Sequence, residues 1–470
     1  MENNTSKKSN FTGSLGFILA AAGSAVGVGN IWRFPYLAAQ NGGGLFILIY
    51  LILVFTFGFT LLTSDIALGR RTGKNALHAY GERNKKWNFV GWITFLVPVI
   101  IITYYVVIGG WITKYTVNYL TSEGMLIDAM AEGSYFTSFI TSPVAPIVFT
   151  FIYLAFTAVI VYCGVEKGIE KFSKVIMPVL LFIVIGIAVF SLTLTHTDAE
   201  GVTRTGLQGL KKYLIPDFSG LTVGKFLRIV LDATSQLFYS LSVSMGIMIT
   251  YGSYVKKDIN LNNSIRNIEI FDTAVAILAG MMIIPAVYAF SGAAGLEASG
   301  PSLIFVALPQ IFAEMGSIGP IIGALFFIMV TFAALTSSVS IMEAIVANCM
   351  EFFKKPRKQI TLYVTLFCII ASAIVCFGYS IWYFEVDIPT AQNVQILDIA
   401  DYISNYLLMP IVAFLTCIYI GWYVKPSYII EEIEIGGFKF RRKALYSVMV
   451  RYVVPIMLVI LFVNSFIPLG

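Results

Sequence analysis

The chain has 470 residues, of which 58% are apolar and only 12% are charged. Soluble domains carry about a quarter charged residues, so this composition excludes an ordinary water-soluble enzyme. The formal net charge of +5 is typical of basic loops on one side of a membrane protein, and it gives no support for a nucleic-acid partner.

Eleven apolar stretches are long enough to cross a bilayer, because about 20 helical residues span its ~30 Å core. The sequence therefore predicts an all-α polytopic membrane protein with about 11 transmembrane helices, forming a single membrane domain over 1–470. The five cysteines are isolated and predict neither a disulfide framework nor a metal site. We number the stretches spans 1 to 11 and expect them at 15–39, 42–68, 89–118, 146–163, 173–195, 226–254, 268–292, 318–352, 361–384, 393–424 and 444–467.

The charge of the loops predicts the orientation of the chain in the lipid bilayer. The polar segment before span 1 is not accompanied by a small-residue cleavage site, so we expect a retained helix and a cytoplasmic N-terminus. Lys and Arg are concentrated in the loops on that side, whereas the opposite loops are mainly acidic. An odd number of spans then places the C-terminus outside.

Spans 1 and 6 both carry residues that weaken a helix near their middle. Two spans that are five apart cross the bilayer in opposite senses, so the pattern predicts a 5+5 inverted repeat, about 15–195 against 226–424, with broken helices 1 and 6 and 444–467 as an extra helix. The binding site should lie between the breaks. A close helix crossing through small residues is the alternative for each break. The weakening residues are Gly23, Gly27 and Gly29 in span 1 and Ser240, Ser242, Ser244 and Gly246 in span 6.

Four motifs carry a resemblance to a known family. They are GSAVGVGNIWRFPYLAAQNGGG in span 1, the Tyr104–Tyr105 pair in span 3, QLFYSLSVSMG in span 6 and ALTSS in span 8. Together they resemble the neurotransmitter:sodium symporter family over nearly the whole chain, and the length resembles its short, eleven-span bacterial amino-acid symporters. The resemblance implies a bacterial inner-membrane carrier that takes up an amino acid with Na⁺ by alternating access, as spans 1, 2, 6 and 7 rock against the remainder.

A sodium ion at mid-membrane needs oxygen ligands, and broken helices supply exposed carbonyls. The resemblance implies two Na⁺ sites, the first completed by the substrate carboxylate. The family usually has asparagine at Asp272, and Ala276 stands where chloride-dependent members have serine. We therefore expect the Asp272 charge to replace chloride, although an intramembrane acid that is only structural is the alternative. The expected ligands of the first site are the Ala25 carbonyl, Asn30, Ser240 and Asp272.

The second Na⁺ site is implied by the span 8 motif beside span 1. Thr and Ser in a transmembrane helix also bond to the preceding turn of backbone, and this is the alternative for the two hydroxyls. The expected ligands are the carbonyls of Gly23, Val26 and Ala333 and the hydroxyls of Thr336 and Ser337.

One position indicates the substrate class. Monoamine carriers of the family have an aspartate where this chain has Gly27, and glycine leaves room for a carboxylate that belongs to the substrate. A substrate with its own carboxylate and an ammonium group is a free α-amino acid. Its carboxylate would lie at the positive end of a half-helix. The groups expected to contact it are Val28, Gly29 and Tyr105 for the carboxylate, and Ala25, Tyr239, Ser240 and Ser242 for the ammonium.

The substrate side chain is expected in a pocket apolar enough for a hydrophobic or aromatic neutral amino acid. Ser244 stands where several relatives have glycine, and it would reduce the space for the largest substrates. Aromatic and methionine side chains in span centres are otherwise ordinary packing. The expected lining is Ile101, Tyr105, Tyr239, Ser244, Met245, Ser338 and Ile341.

Charged residues predict a gate at each end of the pathway. Arg33 lies inside an apolar span, where it needs a partner. Asp401 in span 10 matches the acid of the family's outer gate, with Tyr105 and Tyr239 beneath the pair. At the inner gate, lysine replaces the usual arginine and makes a weaker latch, and interfacial anchoring is the alternative for the N-terminal residues. The inner group is Lys8 with Glu351, and Phe11 with Tyr254 beside them.

Three other functions compete with this interpretation. A proton-coupled permease would need a titratable group such as lysine in place of the second Na⁺, and in span 5 only Lys174 at the edge is near. An amino-acid sensor that does not transport would use the same pocket. A membrane enzyme is not expected, because His78 and His196 are the only histidines and form no acid–base or metal cluster.

Overall fold

The computed structural model describes residues 10–121, 124–297 and 300–466. Within these ranges nine helices are long and apolar enough to cross a membrane, or ten if the bent pair Ser14–Ala25 and Gly29–Gln40 is one span. This confirms the predicted all-α polytopic class. The nine are Gly44–Thr72, Lys85–Thr121, Ala145–Tyr162, Val165–Thr193, Leu261–Gly295, Gly316–Phe353, Arg357–Phe377, Ile396–Tyr423 and Lys443–Asn464.

Span 6, the predicted span that is missing from these helices, consists of two shorter helices, Val223–Leu241 and Ile247–Gly252. The five residues between them are not helical. Three of these have left-handed backbone angles, with φ of 51° at Ser242, 62° at Ser244 and 75° at Gly246. Span 1 is bent by 56° between its two halves. Both predicted breaks are therefore present.

The broken segments lie inside the protein. Residues 240–255 are buried without interruption, and so are residues 20–28. A bilayer cannot satisfy free backbone N–H and C=O groups, so interrupted helices are stable in a membrane only where protein or a cavity surrounds them. The burial of both breaks explains how the chain tolerates them.

Span 9 is shorter than the sequence predicted. Its helix ends at Phe377 instead of 384, and a two-stranded antiparallel hairpin, Val386–Ile388 with Ala391–Val394, precedes span 10. The aromatic residues at 382–384 extend the apolar run beyond the helix, which is why hydropathy alone placed the boundary too late.

Several short elements outside the spans were not predicted. A capping box between Thr205 and Gln208 begins one of them, the helix that we call the outer helix, Gly206–Leu214. The others are the helices Ala76–Ala79, Gly124–Ala131, Gly133–Ile140, Gly300–Ser302, Leu308–Glu314 and Ser427–Ile433, the π-helical turn Leu303–Ala307, the 3₁₀ turn Tyr80–Glu82, and the strand pair Thr195–Thr197 with Thr203–Thr205.

The glycine triplet after span 1 packs against the outer helix. A Cβ atom at Gly43 would lie 2.2 Å from the Lys212 carbonyl oxygen, and one at Gly44 would lie 2.1 Å from that of Leu214. Gly42 also accepts a hydrogen bond from the Asp217 amide at 3.1 Å. Only glycine permits this backbone contact, which fixes the turn between spans 1 and 2.

Candidate functional site

Three side chains expected at the first Na⁺ site meet between spans 1, 6 and 7. The Asn30 amide NH₂ donates to Ser240 Oγ at 3.0 Å and to Asp272 Oδ1 at 2.8 Å. The Ser240 hydroxyl in turn lies 2.7 Å and 2.6 Å from the two Asp272 oxygens. All three side chains are fully buried. The helix breaks thus bring together residues that are up to 242 positions apart.

The Asn30 side chain directs its NH₂ group, and not its oxygen, toward the place where a bound Na⁺ is expected. Its NH₂ group faces Asp272, while its Oδ1 accepts from the Gly27 amide at 3.3 Å. A half-turn of the amide exchanges the two ends and directs the oxygen toward Ser240 and Asp272. Ala25, the other residue expected at this site, is buried and is the last residue of helix Ser14–Ala25.

Spans 1, 6 and 8 meet at a second group of oxygens. The Ser337 hydroxyl donates to the Ser24 carbonyl at 3.1 Å and lies 3.5 Å from that of Val26. The Ser242 hydroxyl donates to the same Ser24 carbonyl at 2.9 Å. Ser24 was not predicted, although its place between two glycines of the broken span could have indicated it.

The remaining residues expected at the second site lie beside this group. Thr336 Oγ1 donates to the carbonyls of Phe332 at 3.1 Å and Ala333 at 3.0 Å, in the preceding turn of its own helix. A Cβ atom at Gly23 would lie 3.3 Å from the Thr336 Cβ. Span 1 and span 8 are therefore close enough to share an ion, while the Thr336 hydroxyl is engaged with its own backbone.

A cavity lies between the breaks and the outer gate. It is lined both by predicted residues and by others that the sequence analysis assigned elsewhere or missed. The predicted substrate residues in its wall are Gly27, Val28, Gly29, Ile101, Tyr105, Tyr239, Ser242, Met245 and Ile341. The remaining lining residues are Ser24, Trp32, Tyr104, Ile108, Ser337, Asp401 and Asn405.

Four predicted substrate residues are not in this described lining. Ser240 lies in the oxygen group around Asp272, and Ala25 ends the first helix of span 1. Ser338 bonds to Tyr153 and Thr157 of span 4, each at 3.0 Å, and thus faces away from the cavity. Ser244 donates its amide to Asp65 of span 2. Ser244 and Ser338 lie outside this lining because contacts with neighbouring spans determine their direction, and their contact with a substrate stays a prediction.

The Tyr105 hydroxyl faces the break in span 1. It is buried and makes no well-formed hydrogen bond to the described part of the chain, although the Ser337 side chain and the Val28 backbone lie near it. A Cβ atom at Gly27 would lie 3.3 Å from it and 2.8 Å from Ser337 Oγ. Glycine at position 27 therefore keeps a small polar space beside a buried donor that lacks a partner.

The predicted outer ion pair is not formed directly, because Tyr239 lies between the two charges. The Tyr239 hydroxyl donates to Asp401 at 2.7 Å, and its ring lies 4.2 Å from the Arg33 guanidinium carbon. Arg33 donates to Ser235 at 2.9 Å. Tyr104, and not Tyr105, supplies a second hydroxyl to Asp401, at 3.0 Å. The two charges predicted for the outer gate are thus close together, with Tyr239 between them.

The inner gate can be described only in part, since Lys8 lies outside the described residues. Glu351 accepts from the backbone and side-chain N–H groups of Asn75, at 3.0 and 2.9 Å, and lies 3.2 Å from His78 Nδ1. These two partners on the loop after span 2 were not predicted.

Phe11 and Tyr254 are neighbours, as the resemblance implies. The Phe11 amide donates to the Tyr254 carbonyl at 3.2 Å, and the two rings are 6.2 Å apart. The Tyr254 hydroxyl donates at 2.7 Å to Glu343 of span 8, which is paired with Arg357. The segment that contains Phe11 is thereby held against span 6.

Comparison with known proteins gives the class and then the family. The chain is a multi-pass membrane transporter whose fold is that of the crystal structure of MhsT in complex with L-phenylalanine, with a TM-score of 0.83, 35% identity, and coverage of 98% of this chain and 100% of that one. The chain belongs to the sodium:neurotransmitter symporter family, whose model matches residues 8–128 and 142–469.

Two curated relatives agree with this assignment. The chain is 34% identical to the uncharacterized sodium-dependent transporter YhdH of Bacillus subtilis (strain 168), over 96% of each chain. It is 32% identical to an uncharacterized sodium-dependent transporter of Methanocaldococcus jannaschii, over 88% of this chain and 82% of the relative. The protein is therefore a sodium-dependent symporter and not an enzyme, as the sequence predicted.

Proposed function

We propose that this symporter couples the uptake of a neutral, hydrophobic or aromatic amino acid to Na⁺ bound at two sites, without a requirement for chloride. The observation that carries the proposal is the buried Tyr105 hydroxyl without a hydrogen bond, facing the space that Gly27 keeps open. A buried donor without a partner costs about 1–3 kcal/mol, which a bound carboxylate would offset.

The break in span 1 suits the carboxylate of the substrate. The half-helix Gly29–Gln40 begins here, and the N-terminus of a helix attracts an anion through its free N–H groups and its dipole. An amine that lacks a carboxylate would leave both this helix end and Tyr105 without a partner. The bound L-phenylalanine of the similar MhsT structure supports an amino acid as the ligand.

The rest of the cavity suits an apolar side chain. Trp32, Ile101, Ile108, Met245 and Ile341 contribute apolar surface to its wall. The polar groups of the wall are concentrated at the break and at the outer gate, so a substrate side chain with a full charge would bury that charge among hydrocarbon groups. This favours a hydrophobic or aromatic side chain.

Asp272 is proposed as an anionic ligand of the first Na⁺. Its carboxylate, Ser240 Oγ, the turned Asn30 amide, the Ala25 carbonyl and the substrate carboxylate form an oxygen set of the kind that a hard cation prefers. Because Asp272 already brings a negative charge, the site needs no chloride to balance the ion. Asp272→Asn should therefore reduce uptake by at least about tenfold in chloride-free buffer, with partial recovery on adding chloride.

The second Na⁺ is proposed between spans 1 and 8, at the carbonyls of Gly23, Val26 and Ala333 and the hydroxyls of Thr336 and Ser337. The contact of Ser337 with the Val26 carbonyl supports this location. An ion here would link the movable span 1 to span 8, and its release would free the inner gate.

We also propose that the protein lies in a bacterial inner membrane, with the N-terminus in the cytoplasm and the C-terminus outside.

A competition experiment tests the substrate class. The purified chain is incubated with labelled phenylalanine and Na⁺, and unlabelled compounds compete. We expect hydrophobic and aromatic amino acids to displace the label, and phenylethylamine, which lacks the carboxylate, to bind at least about 100-fold more weakly. Equal displacement by phenylethylamine would contradict the role of Gly27 and Tyr105, and binding that is unchanged when K⁺ replaces Na⁺ would contradict the sodium sites.

A further inference from the structure

Arg451 is a charged residue inside span 11 that none of the roles above uses. It lies within the apolar helix Lys443–Asn464. Its Nε atom donates to the Gly421 carbonyl of span 10 at 3.1 Å, and in the described chain the guanidinium makes no other hydrogen bond and no ion pair. An arginine in a membrane span needs partners for its charge. The N–H groups of its two Nη atoms are therefore left for a partner that is not part of the described chain.

The end of span 10 fixes the position of the Arg451 side chain. Span 10 ends in the π-helical turn Tyr419–Tyr423, and Lys425 after it has a left-handed φ of 70°. The last carbonyls of a helix lack partners within that helix, and Arg451 satisfies one of them. A Cβ atom at Gly421 would lie 3.3 Å from the Arg451 Cα and 3.1 Å from the Val450 carbonyl oxygen, so the two spans approach closely. The guanidinium is thereby held at the level where span 10 ends.

Two aromatic residues that are adjacent to Gly421 and Arg451 in sequence form an exposed pair. The rings of Trp422 and Tyr452 meet edge to face with their centroids 5.8 Å apart, and both residues are exposed. The Trp422 indole N–H donates to the Arg451 carbonyl at 3.3 Å. Exposed Trp and Tyr on membrane spans concentrate where the hydrocarbon core meets the lipid headgroups. The aromatic pair and the helix end thus indicate that the guanidinium lies at the level of the headgroups.

Lys425 adds a second positive charge at the same end of span 10. It is exposed and forms no ion pair within the described ranges. The planar guanidinium matches the geometry of a phosphate group, and phosphate is the anion that a bilayer presents at this level. We propose that Arg451 and Lys425 bind the phosphate group of an anionic phospholipid, whose chains lie against the exposed aromatic pair. A zwitterionic headgroup would bring a positive charge of its own beside Lys425 and would bind less well.

An arginine that serves only to end span 10 would stabilise the fold with any lipid, whereas a lipid site distinguishes between headgroups. Binding of labelled phosphatidylglycerol to the full chain, purified in detergent without amino acid or Na⁺, measures the difference. We expect Arg451→Gln to bind it at least about fivefold more weakly than wild type, while the two affinities for phosphatidylcholine differ by less than about twofold. Equal affinities of wild type and Arg451→Gln for phosphatidylglycerol, or an equal loss for both lipids, would overturn the proposal.

Two further variants control for general charge and for folding. Arg441 precedes the same span and is exposed, so Arg441→Gln should keep the affinity for phosphatidylglycerol within about twofold of wild type. Lys425→Gln leaves the contact between spans 10 and 11 intact and should lose at least about threefold, which decides the case if Arg451→Gln does not fold. An equal loss in Arg441→Gln would show only a general attraction of basic residues for anionic lipid and would overturn the site, as would unchanged affinity in Lys425→Gln.

Inorganic phosphate distinguishes a lipid from a free anion, because both present the same oxygens to a guanidinium. We expect millimolar phosphate to leave the affinity for phosphatidylglycerol within about twofold, since a free anion gains nothing from the aromatic pair. Displacement of the lipid by phosphate at that concentration would overturn the lipid assignment. These measurements contain neither amino acid nor Na⁺, so their outcome does not depend on the proposed function.

Discussion

Gly27 illustrates how a single missing side chain determines what the cavity can bind. Ser337 from span 8 and Tyr105 from span 3 approach its backbone so closely that any Cβ atom would contact both. A side chain at position 27 would therefore compete with the carboxylate oxygen of the ligand that is proposed to lie beside these two hydroxyls. This is the physical basis for assigning a substrate with its own carboxylate.

Gly27→Ala should weaken phenylalanine binding by about 10- to 100-fold, since overpacking of this kind costs about 1–3 kcal/mol. Gly186→Ala is the control, because a Cβ atom at Gly186 has no neighbour within 4 Å. Binding of labelled phenylalanine to equal amounts of purified protein measures the effect. Wild-type affinity in Gly27→Ala would contradict the assignment.

Tyr105→Phe should separate binding from stability. A hydrogen bond to a charged group contributes about 1.5–3 kcal/mol, so the variant should bind phenylalanine about tenfold or more weakly. The hydroxyl bonds to no described residue, so the thermal midpoint without substrate should not fall. Tyr104→Phe is the comparison, because it removes a bond to Asp401 and should lower that midpoint. If Tyr105→Phe lowered the thermal midpoint and left the affinity for phenylalanine unchanged, the hydroxyl would stabilise the fold and would not bind the substrate.

Sequence reasoning was more successful for residue identity than for pairing at this scale. It identified Asn30, Ser240 and Asp272, which the structure brings together. It paired Arg33 directly with Asp401, whereas Tyr239 lies between them. The type of a residue indicates that a buried charge needs a partner. The direction of its side chain depends on which spans pack beside it, and the sequence does not say which spans are neighbours.

Among the structural elements, the long apolar helices were predictable and the short ones were not. A span of about 20 apolar residues has few alternatives in a bilayer. The outer helix and the two hairpins have no such constraint, since they are short and partly exposed. The glycine triplet was recognised as a motif, but its contact with the outer helix became visible only in three dimensions.

Gly43→Ala tests that contact. We expect it to lower the thermal midpoint clearly, because the new Cβ atom would meet the Lys212 carbonyl oxygen at 2.2 Å in addition to the strain of φ 56°. Gly220 has a similar φ of 63°, but a Cβ atom at Gly220 would have no neighbour within 4 Å, so Gly220→Ala is the control. It should therefore show only the backbone penalty of about 1–2 kcal/mol. Equal shifts in the two variants would exclude a role for packing.

Across the whole molecule, an ion group formed around the buried Arg70 and Glu432 connects the ends of distant spans. Glu432, on helix Ser427–Ile433, pairs with Arg70 of span 2 at 2.7 Å and with Lys257 after span 6 at 2.6 Å. Arg70 also donates to the Ile259 carbonyl at 2.8 Å. The loop between spans 10 and 11 is thereby joined to the part of the protein that is proposed to rock.

Glu432→Gln should destabilise the protein by about 3–5 kcal/mol, because it leaves the buried Arg70 charge unpaired. Its neighbour gives the control, since Glu431 pairs with Arg71 but its side chain is 64% exposed, and Glu431→Gln should cost at most about 1 kcal/mol. Unfolding in a denaturant series measures the free energy of unfolding of both variants. If both lost about the same small amount of stability, the ion group would not hold the loop in place.

The most direct test of the account is uptake by the purified chain in liposomes under an inward Na⁺ gradient. We predict accumulation of labelled phenylalanine with NaCl or sodium gluconate outside, and loss of accumulation when K⁺ replaces Na⁺ or when the gradient is collapsed. A protein that binds phenylalanine but never accumulates it, or that transports it equally well with K⁺, would contradict a sodium-coupled amino-acid symporter.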